Sequence, residues 1–268
     1  YPCQKERERL ADGFLEGFKI PYAGPLVCRD AENLRSAKEL PLVVLGKLEK
    51  ELEMGRVAGP FASPPLSNFV VSPLGVVPKK EPGKFRLIHH LSYPWGNSVN
   101  DWLDNGLCSV TYNSFDDVVD LVKRAGPGAW LAKADIESAF RLLPVHQDSH
   151  HLLGFKWAGL FYYDMCMPMG CSVSCAYFEA FSSFLQWALL QVHREARVTH
   201  YLDDFLFIGE GGIQECAATL REFQALAGRL GVPLAPEKTE GLAQVLTFLG
   251  IELDTIQGFS RLQIDKVR

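Results

Sequence analysis

Two adjacent acids interrupt what would otherwise be one apolar β pattern: Thr199 to Gly209 reads THYLDDFLFIG, with Asp203 and Asp204 at its middle. Residues 198–202 and 205–208 are mostly β-branched, aromatic or aliphatic, the composition of buried strands. A reversal at the acids joins the two runs as a hairpin, with Leu202, Asp203, Asp204 and Phe205 in the turn. A two-residue hairpin loop needs positive φ and so favours Gly or Asn. Neither is present, so the turn is expected to carry strain, which gathers at functional sites. Taken alone, the pair also reads simply as two residues suited to turns.

The surrounding pattern sets the fold class. Leu42, Leu45, Leu48 and Leu52 recur at helical spacing until Gly55, while residues 1–38 show no clear periodicity. Residues 56–113 are rich in Pro, Gly and Ser. SFDDVVDLVKRAG predicts a helix, with Ser114 and Asp117 spaced as a capping box and Gly126 as the stop. WLAKADI reads as a strand, and RLLPV and GFKWAGLFYYDMCMP read as β-like. Phe178, Phe181, Leu185 and Leu189 mark a helix over about 172–195, and a second fills 212–230 up to Gly231. VLTFLGIELD closes the chain as one more strand. The expectation is an α+β domain, a largely antiparallel sheet with helices on one face.

Composition removes several function classes. Hydrophobic content of 47% and charged content of 22% in 268 residues are ordinary for a soluble globular chain. No apolar run spans a membrane, and the N-terminus, YPCQKERERLADGF, lacks the apolar core of a signal peptide. The expected setting is intracellular, cytoplasm or nucleus, not secreted and without a membrane partner. The missing initiator Met suggests a fragment. Seven cysteines form no CxxC pair, which favours free thiols over a disulfide framework or a zinc site. A net charge of −5 is a weak argument against a general nucleic-acid binder, since PKKEPGKFR concentrates Lys79, Lys80, Lys84 and Arg86 locally.

Five pieces carry chemistry together that none carries alone. Asp135 follows directly on an apolar strand, a place where acids are also common simply as turn residues; with that strand beside the acid hairpin, its carboxylate would meet Asp203 at one edge of the sheet. Paired carboxylates repel and raise each other's pKa, and divalent cations resolve the conflict. Two such ions about 4 Å apart clamp the attacking and leaving oxygens of a phosphoryl transfer. Lys79 and Arg86 flank EPG at a hairpin tip, where two cations can neutralise a triphosphate, although a basic loop is commonly just solvated. MPMGCSVSCAYF makes a small-residue entry into a helix that permits close backbone approach, although Ser172 alone suggests ordinary capping. Lys238, in LAPEKTEG, taken singly is a surface lysine.

In this order the motifs resemble the fingers and palm of a reverse transcriptase. YLDD resembles the Tyr-x-Asp-Asp hairpin of that family and DIESAF its first-aspartate motif. MPMG resembles the Leu-Pro-Gln-Gly-type motif, KKEPGKFR the fingers hairpin, PEKTEG the palm lysine loop and FLGIELD the primer grip. The resemblance covers roughly 40–258. RLIHHLSYPWGNSVND and MPMGCSVSCAYFEAF are most similar to tyrosine-recombinase retrotransposons of the DIRS/Ngaro group. It implies a right-hand polymerase palm (about 114–143 and 169–258) with fingers (about 39–113 and 144–168), an unassigned extension at 1–38, and 259–268 as the start of a truncated segment, with no thumb.

The resemblance also implies roles. Asp135 and Asp203 would be the principal ligands of two Mg²⁺ ions, with Mn²⁺ a substitute, supported by Asp204 and the backbone carbonyl of Ile136. Lys79 and Arg86 would grip the phosphates of an incoming deoxynucleoside triphosphate. Phe140 would close the pocket to a 2′-OH, with Ala139, Met169 and Gly170 lining the nucleotide site. Lys238 would be the general acid for leaving pyrophosphate, and Phe248, Leu249 and Gly250 would hold the primer end on an RNA or DNA template. Met169 replaces the Gln of many members, and His90 falls near a position often held by Asp. The function implied is RNA-directed DNA polymerisation in a retroelement, with RNase H activity only if a further domain follows. The alternatives are a catalytically silent nucleic-acid-binding descendant and an RNA-directed RNA polymerase, against which Phe140 counts.

Overall fold

The computed structural model describes residues 1–79 and 81–262; Lys80 and residues 263–268, part of the segment expected to be truncated, lie outside the described residues. In chain order the elements are α1 (Gln4–Glu16), α2 (Arg35–Glu39), α3 (Pro41–Glu53), β1 (Val57–Phe61), β2 (Leu74–Pro78) and β3 (Phe85–His89). There follow α4 (Asn105–Cys108), α5 (Phe115–Ala125), β4 (Trp130–Asp135), β5 (Gly154–Trp157), β6 (Leu160–Asp164) and α6 (Ser174–Val192). The chain continues through β7 (Arg197–Tyr201), β8 (Asp204–Gly209), α7 (Ile213–Leu230), β9 (Glu240–Ala243), β10 (Val245–Phe248), β11 (Ile251–Asp254) and β12 (Phe259–Leu262). The mixed helix-and-sheet class expected from the sequence holds.

The chain divides into two compact units, one of residues 1–2, 111–139 and 179–268, the other of 3–110 and 140–178. The first is built on the antiparallel sheet β7-β8-β4-β9. Its central strand β8 carries four consecutive fully buried side chains, Phe205 to Ile208. Alternate residues face opposite ways. Phe205 and Phe207 pack at tilted angles on Phe223 of α7, with centroids at 4.6 and 5.1 Å. Leu206 and Ile208 join a second cluster with Val118 and Ala125 of α5 and Leu246, Phe248 and Leu253. Both sides of β8 are therefore covered, more than the single helical face the sequence suggested. Each fully buried Phe contributes about 2–3 kcal/mol, so this strand is held rigidly. The expected caps are present: Ser114 and Asp117 close a capping box on α5, and Gly231 takes the left-handed conformation at the end of α7.

The other unit contains the sheet β1-β6-β5 and the ribbon β2-β3. Leu74 and Val76 turn inward from the ribbon to a core with Val44, Leu48, Val57, Phe155 and Tyr162. Beneath it lies a buried polar network. Arg141 donates to Glu51 Oε2 (2.9 Å), Cys166 O (3.0 Å) and Arg56 O (3.1 Å), and pairs with Asp164 Oδ1 at 2.8 Å. His89 Nδ1 lies 2.8 Å from Asp164 Oδ2, and Nε2 lies 3.1 Å from Gly154 O. Burial pushes the Asp164 carboxyl up, but Arg141 and the His89 hydrogen bond outweigh it and hold the group below the usual carboxylate range.

Three local expectations change. RLLPV forms no strand: Ala139–Leu142 is a 3-10 turn, and Pro144 makes only an isolated bridge to Cys166. VLTFLGIELD is two strands, β10 and β11, because Leu249 (φ 49°) and Gly250 (φ 81°) form a two-residue hairpin turn with both φ positive. Residues 4–16, without a clear period, form α1, where only Leu10 and Gly13 are buried.

Candidate active site

The acid hairpin sets the site. Tyr201 pairs with Asp204 across β7 and β8, so the loop residues are Leu202 and Asp203, one position earlier than the sequence suggested. Leu202 carries the positive φ, 51°, in place of the absent glycine. The shift places Asp204 on the strand, directly opposite Asp135 of β4. Asp203 remains adjacent: its carbonyl accepts the N–H of Ile136 at 3.0 Å. The three acids from two distant stretches thus converge at one end of the sheet.

Their electrostatics follow from this crowding. Burial, then the charges of Asp203 and Asp135, push the Asp204 carboxyl up to about 6. Lys238 answers part of the charge. Pro236–Lys238 forms a 3-10 turn after Ala235, whose N–H donates to the Asp135 carbonyl at 2.9 Å. From there Nζ reaches both carboxylate oxygens of Asp135 at 2.8 Å. Burial draws the ammonium down, but its hydrogen bond to Asp135 and the surrounding carboxylates outweigh this and raise it. Nothing in the local sequence marks Lys238 as a partner of Asp135.

Among the described residues, no group of three or more His, Cys, Asp or Glu stands ready as a complete metal cage. The donor chemistry nevertheless fits a hard divalent ion. It is oxygen only, it repels itself, and magnesium commonly takes just one or two carboxylates with substrate phosphates completing its shell. Lys238 now places its cation on one of those carboxylates.

The remaining predicted residues fall as follows. Ala139 is buried in the same unit as the acids, after the positive-φ residue Ser138 (φ 60°). Phe248 is buried in the core cluster, so it can only anchor the β10-β11 turn from below; Leu249 at the tip is exposed. In the other unit, Lys79 and Arg86 sit exposed on the β2-β3 ribbon. Arg86 stands opposite Val77, and Lys79 follows Val77 by two, so both cations share one face. Phe140 is buried and packs edge-on against Phe178 at 5.5 Å. Met169 is exposed, while Gly170 lies so close to the His89 carbonyl oxygen that a Cβ would sit 1.9 Å from it. The N–H of His90 donates to Pro73 O, and its ring meets Tyr93.

One contributor escaped sequence reasoning. Glu179 of α6, 9% exposed, receives the Leu202 N–H on Oε2 at 3.2 Å, and its Oε1 lies 3.0 Å from His200 Nε2. Its only sequence signal is an acid within the apolar stripe of a helix.

Sheet, hairpin and acids define the fingers-and-palm class of right-hand polymerases. A family model described as reverse transcriptase (RNA-dependent DNA polymerase) matches residues 77–253, and the chain belongs to that family. Solved structures agree in fold. The foamy viral protease-reverse transcriptase in complex with double-stranded DNA is 18% identical with a TM-score of 0.67, over 95% of this chain and 39% of that one. The prototype foamy virus protease-reverse transcriptase in native form is 19% identical with a TM-score of 0.65, over 91% and 29%. The foamy viral enzyme with an RNA/DNA hybrid is 18% identical with a TM-score of 0.67, over 92% and 30%. The chain thus spans well under half of these proteins. No curated protein matches its sequence. Among the described residues no helix is long and apolar enough to cross a membrane.

Proposed function

We propose that this chain is the fingers and palm of a retroelement RNA-directed DNA polymerase, extending a primer 3′-OH with deoxynucleotides on an RNA or DNA template. The observation that carries the proposal is Asp204 directly opposite Asp135, with Asp203 beside them. The unit bearing the acids is the palm, and the unit bearing the β2-β3 ribbon is the fingers. The wording of residues 86–101 and 167–181 favours the DIRS/Ngaro group of tyrosine-recombinase retrotransposons.

Asp135 and Asp203 hold the divalent ions, with Asp204 and the Ile136 carbonyl in support. Magnesium, or manganese in its place, supplies Lewis acidity for phosphoryl transfer when bound. Lys79 and Arg86 bring two positive charges to the triphosphate from one face of the ribbon. Lys238 keeps its proton at Nζ, available to the leaving pyrophosphate. Phe140, fixed edge-on by Phe178, excludes the 2′-OH, with Ala139, Met169 and Gly170 lining the nucleotide site. The Leu249–Gly250 turn supports the primer end. Template pairing supplies sequence readout, so binding to template-primer weakens with salt.

The test is primer extension with Mg²⁺ on a primed RNA template. The wild type incorporates deoxynucleotides, Asp203→Asn does not while keeping its melting curve, and Phe140→Ala gains ribonucleotide incorporation. Equal extension by wild type and Asp203→Asn defeats the metal assignment. No gain in Phe140→Ala removes the gate.

A further inference from the structure

The hairpin that carries Asp203 turns through a leucine at positive φ, a conformation that an L residue with a Cβ adopts at a cost of order 1 kcal/mol or more. Such a turn persists only where its surroundings fix it. Two hydrogen bonds do so from opposite sides. On one side the Ile136 N–H donates to the Asp203 carbonyl, tying the loop to β4. On the other the Leu202 N–H donates to Glu179 Oε2. Glu179 is itself fixed: His200 Nε2 lies 3.0 Å from Oε1, and His200 Nδ1 lies 2.6 Å from Oε1 of Gln186, two turns further along α6. His200 is 4% exposed and stacks on Phe205 at 5.2 Å. A buried carboxylate is costly unless donors satisfy both oxygens. Here one donor is the Leu202 N–H of the acid turn and the other is the His200 imidazole on the strand that enters it.

We infer that Glu179, held by His200 and Gln186, is a positioning residue that fixes the Leu202–Asp203 turn and thereby aims the Asp203 carboxylate. The inference rests on the polymerase reading for its effect on catalysis, but not for its structural content. Glu179 acts through the Leu202 amide. A carboxylate suits the place because it accepts on both oxygens. Gln keeps an acceptor for Leu202 and offers its amide to His200 Nε2, which accepts it in the tautomer whose Nδ1–H donates to Gln186. Met fills similar volume and offers Leu202 nothing.

Glu179→Gln and Glu179→Met separate the roles. The first readout is backbone amide exchange by NMR on the metal-free protein. In Glu179→Met the Leu202 amide exchanges at least about tenfold faster, while Phe205 to Ile208 keep their protection; in Glu179→Gln Leu202 stays protected. The second readout is primer extension. Glu179→Met loses about 10–100-fold in kcat, the range for outer-shell partners of metal ligands, with KM for template-primer within about twofold, and Glu179→Gln restores most of it. Unchanged Leu202 exchange in Glu179→Met overturns the inference. So does general loss of protection across β8, which marks a merely structural residue, and so does equal loss of kcat in both variants, which marks the charge as the cause. A wild type that extends no primer refutes the polymerase reading instead, and the exchange experiment still decides the role of Glu179.

Discussion

Arg141→Met is the sharpest perturbation of the unit that carries the β2-β3 ribbon. The guanidinium has five N–H donors, and all are directed at acceptors: Glu51, Asp164 and the carbonyls of Cys166 and Arg56. The Asp164 side chain is 7% exposed and that of Arg141 17%. Removing one partner of such a pair leaves an uncompensated buried charge and costs about 3–5 kcal/mol. The pH dependence identifies the cause. In the wild type the Asp164 carboxyl is held below its unfolded value, so its contribution is present above about pH 4 and is lost as pH falls through the lower folded value. Without Arg141 only His89 answers the burial that opposes ionisation, and the expected result is a folded value above the unfolded one. The variant then takes up a proton on folding, and its deficit narrows as pH drops from 7 toward 4, by at most about 1.4 kcal/mol per pH unit. Urea melts of both proteins at pH 7, 6 and 5 measure this gap. A cost under about 1 kcal/mol at pH 7, or a gap that widens on acidification, refutes the reasoning. Arg141→Lys, which keeps the charge but loses the fork, falls between the two.

Asp204→Asn stabilises the metal-free protein at pH 7.5 by about 1–2 kcal/mol, discounted for partial exposure, because the carboxyl pushed up to about 6 no longer resists ionisation. The gain fades below pH 4, where the wild-type carboxyl is protonated folded or unfolded, and paired melts at the two pH values check both halves. Gly170→Ala forces a backbone shift, since the added Cβ meets a carbonyl oxygen at 1.9 Å rather than a flexible side chain; a cost of about 1–3 kcal/mol is expected in thermal melts, and a melting temperature equal to the wild type's defeats it.

What could be read from the sequence was what local chemistry decides. The capping box of α5 and the Gly231 stop of α7 lie within a few residues of their own signals. The polar partnerships could not be read this way. Lys238 meets Asp135 across 103 positions, and Arg141 gathers Glu51 and Asp164 from 90 positions before it and 23 after. Propensity and periodicity carry no term for such meetings; only the folded topology does. The acid hairpin sits between these cases, because its existence was legible and its register was not. The rule that positive φ belongs to Gly or Asn gives no reason to choose Leu202, and pattern alone places the reversal one residue late. Successive strand residues point to opposite faces, and a slip of one exchanges which acid stands beside Asp135. What selects Leu202 is distant again: the Ile136 N–H takes the Asp203 carbonyl and the Glu179 carboxylate takes the Leu202 N–H. A reversal one residue later would put different backbone groups before those two partners, and the Leu202 N–H and the buried Glu179 oxygen facing it would each lose the other. An unmade bond of that kind costs about 1–3 kcal/mol for each group left unsatisfied, which is enough to offset the strain of a leucine at positive φ.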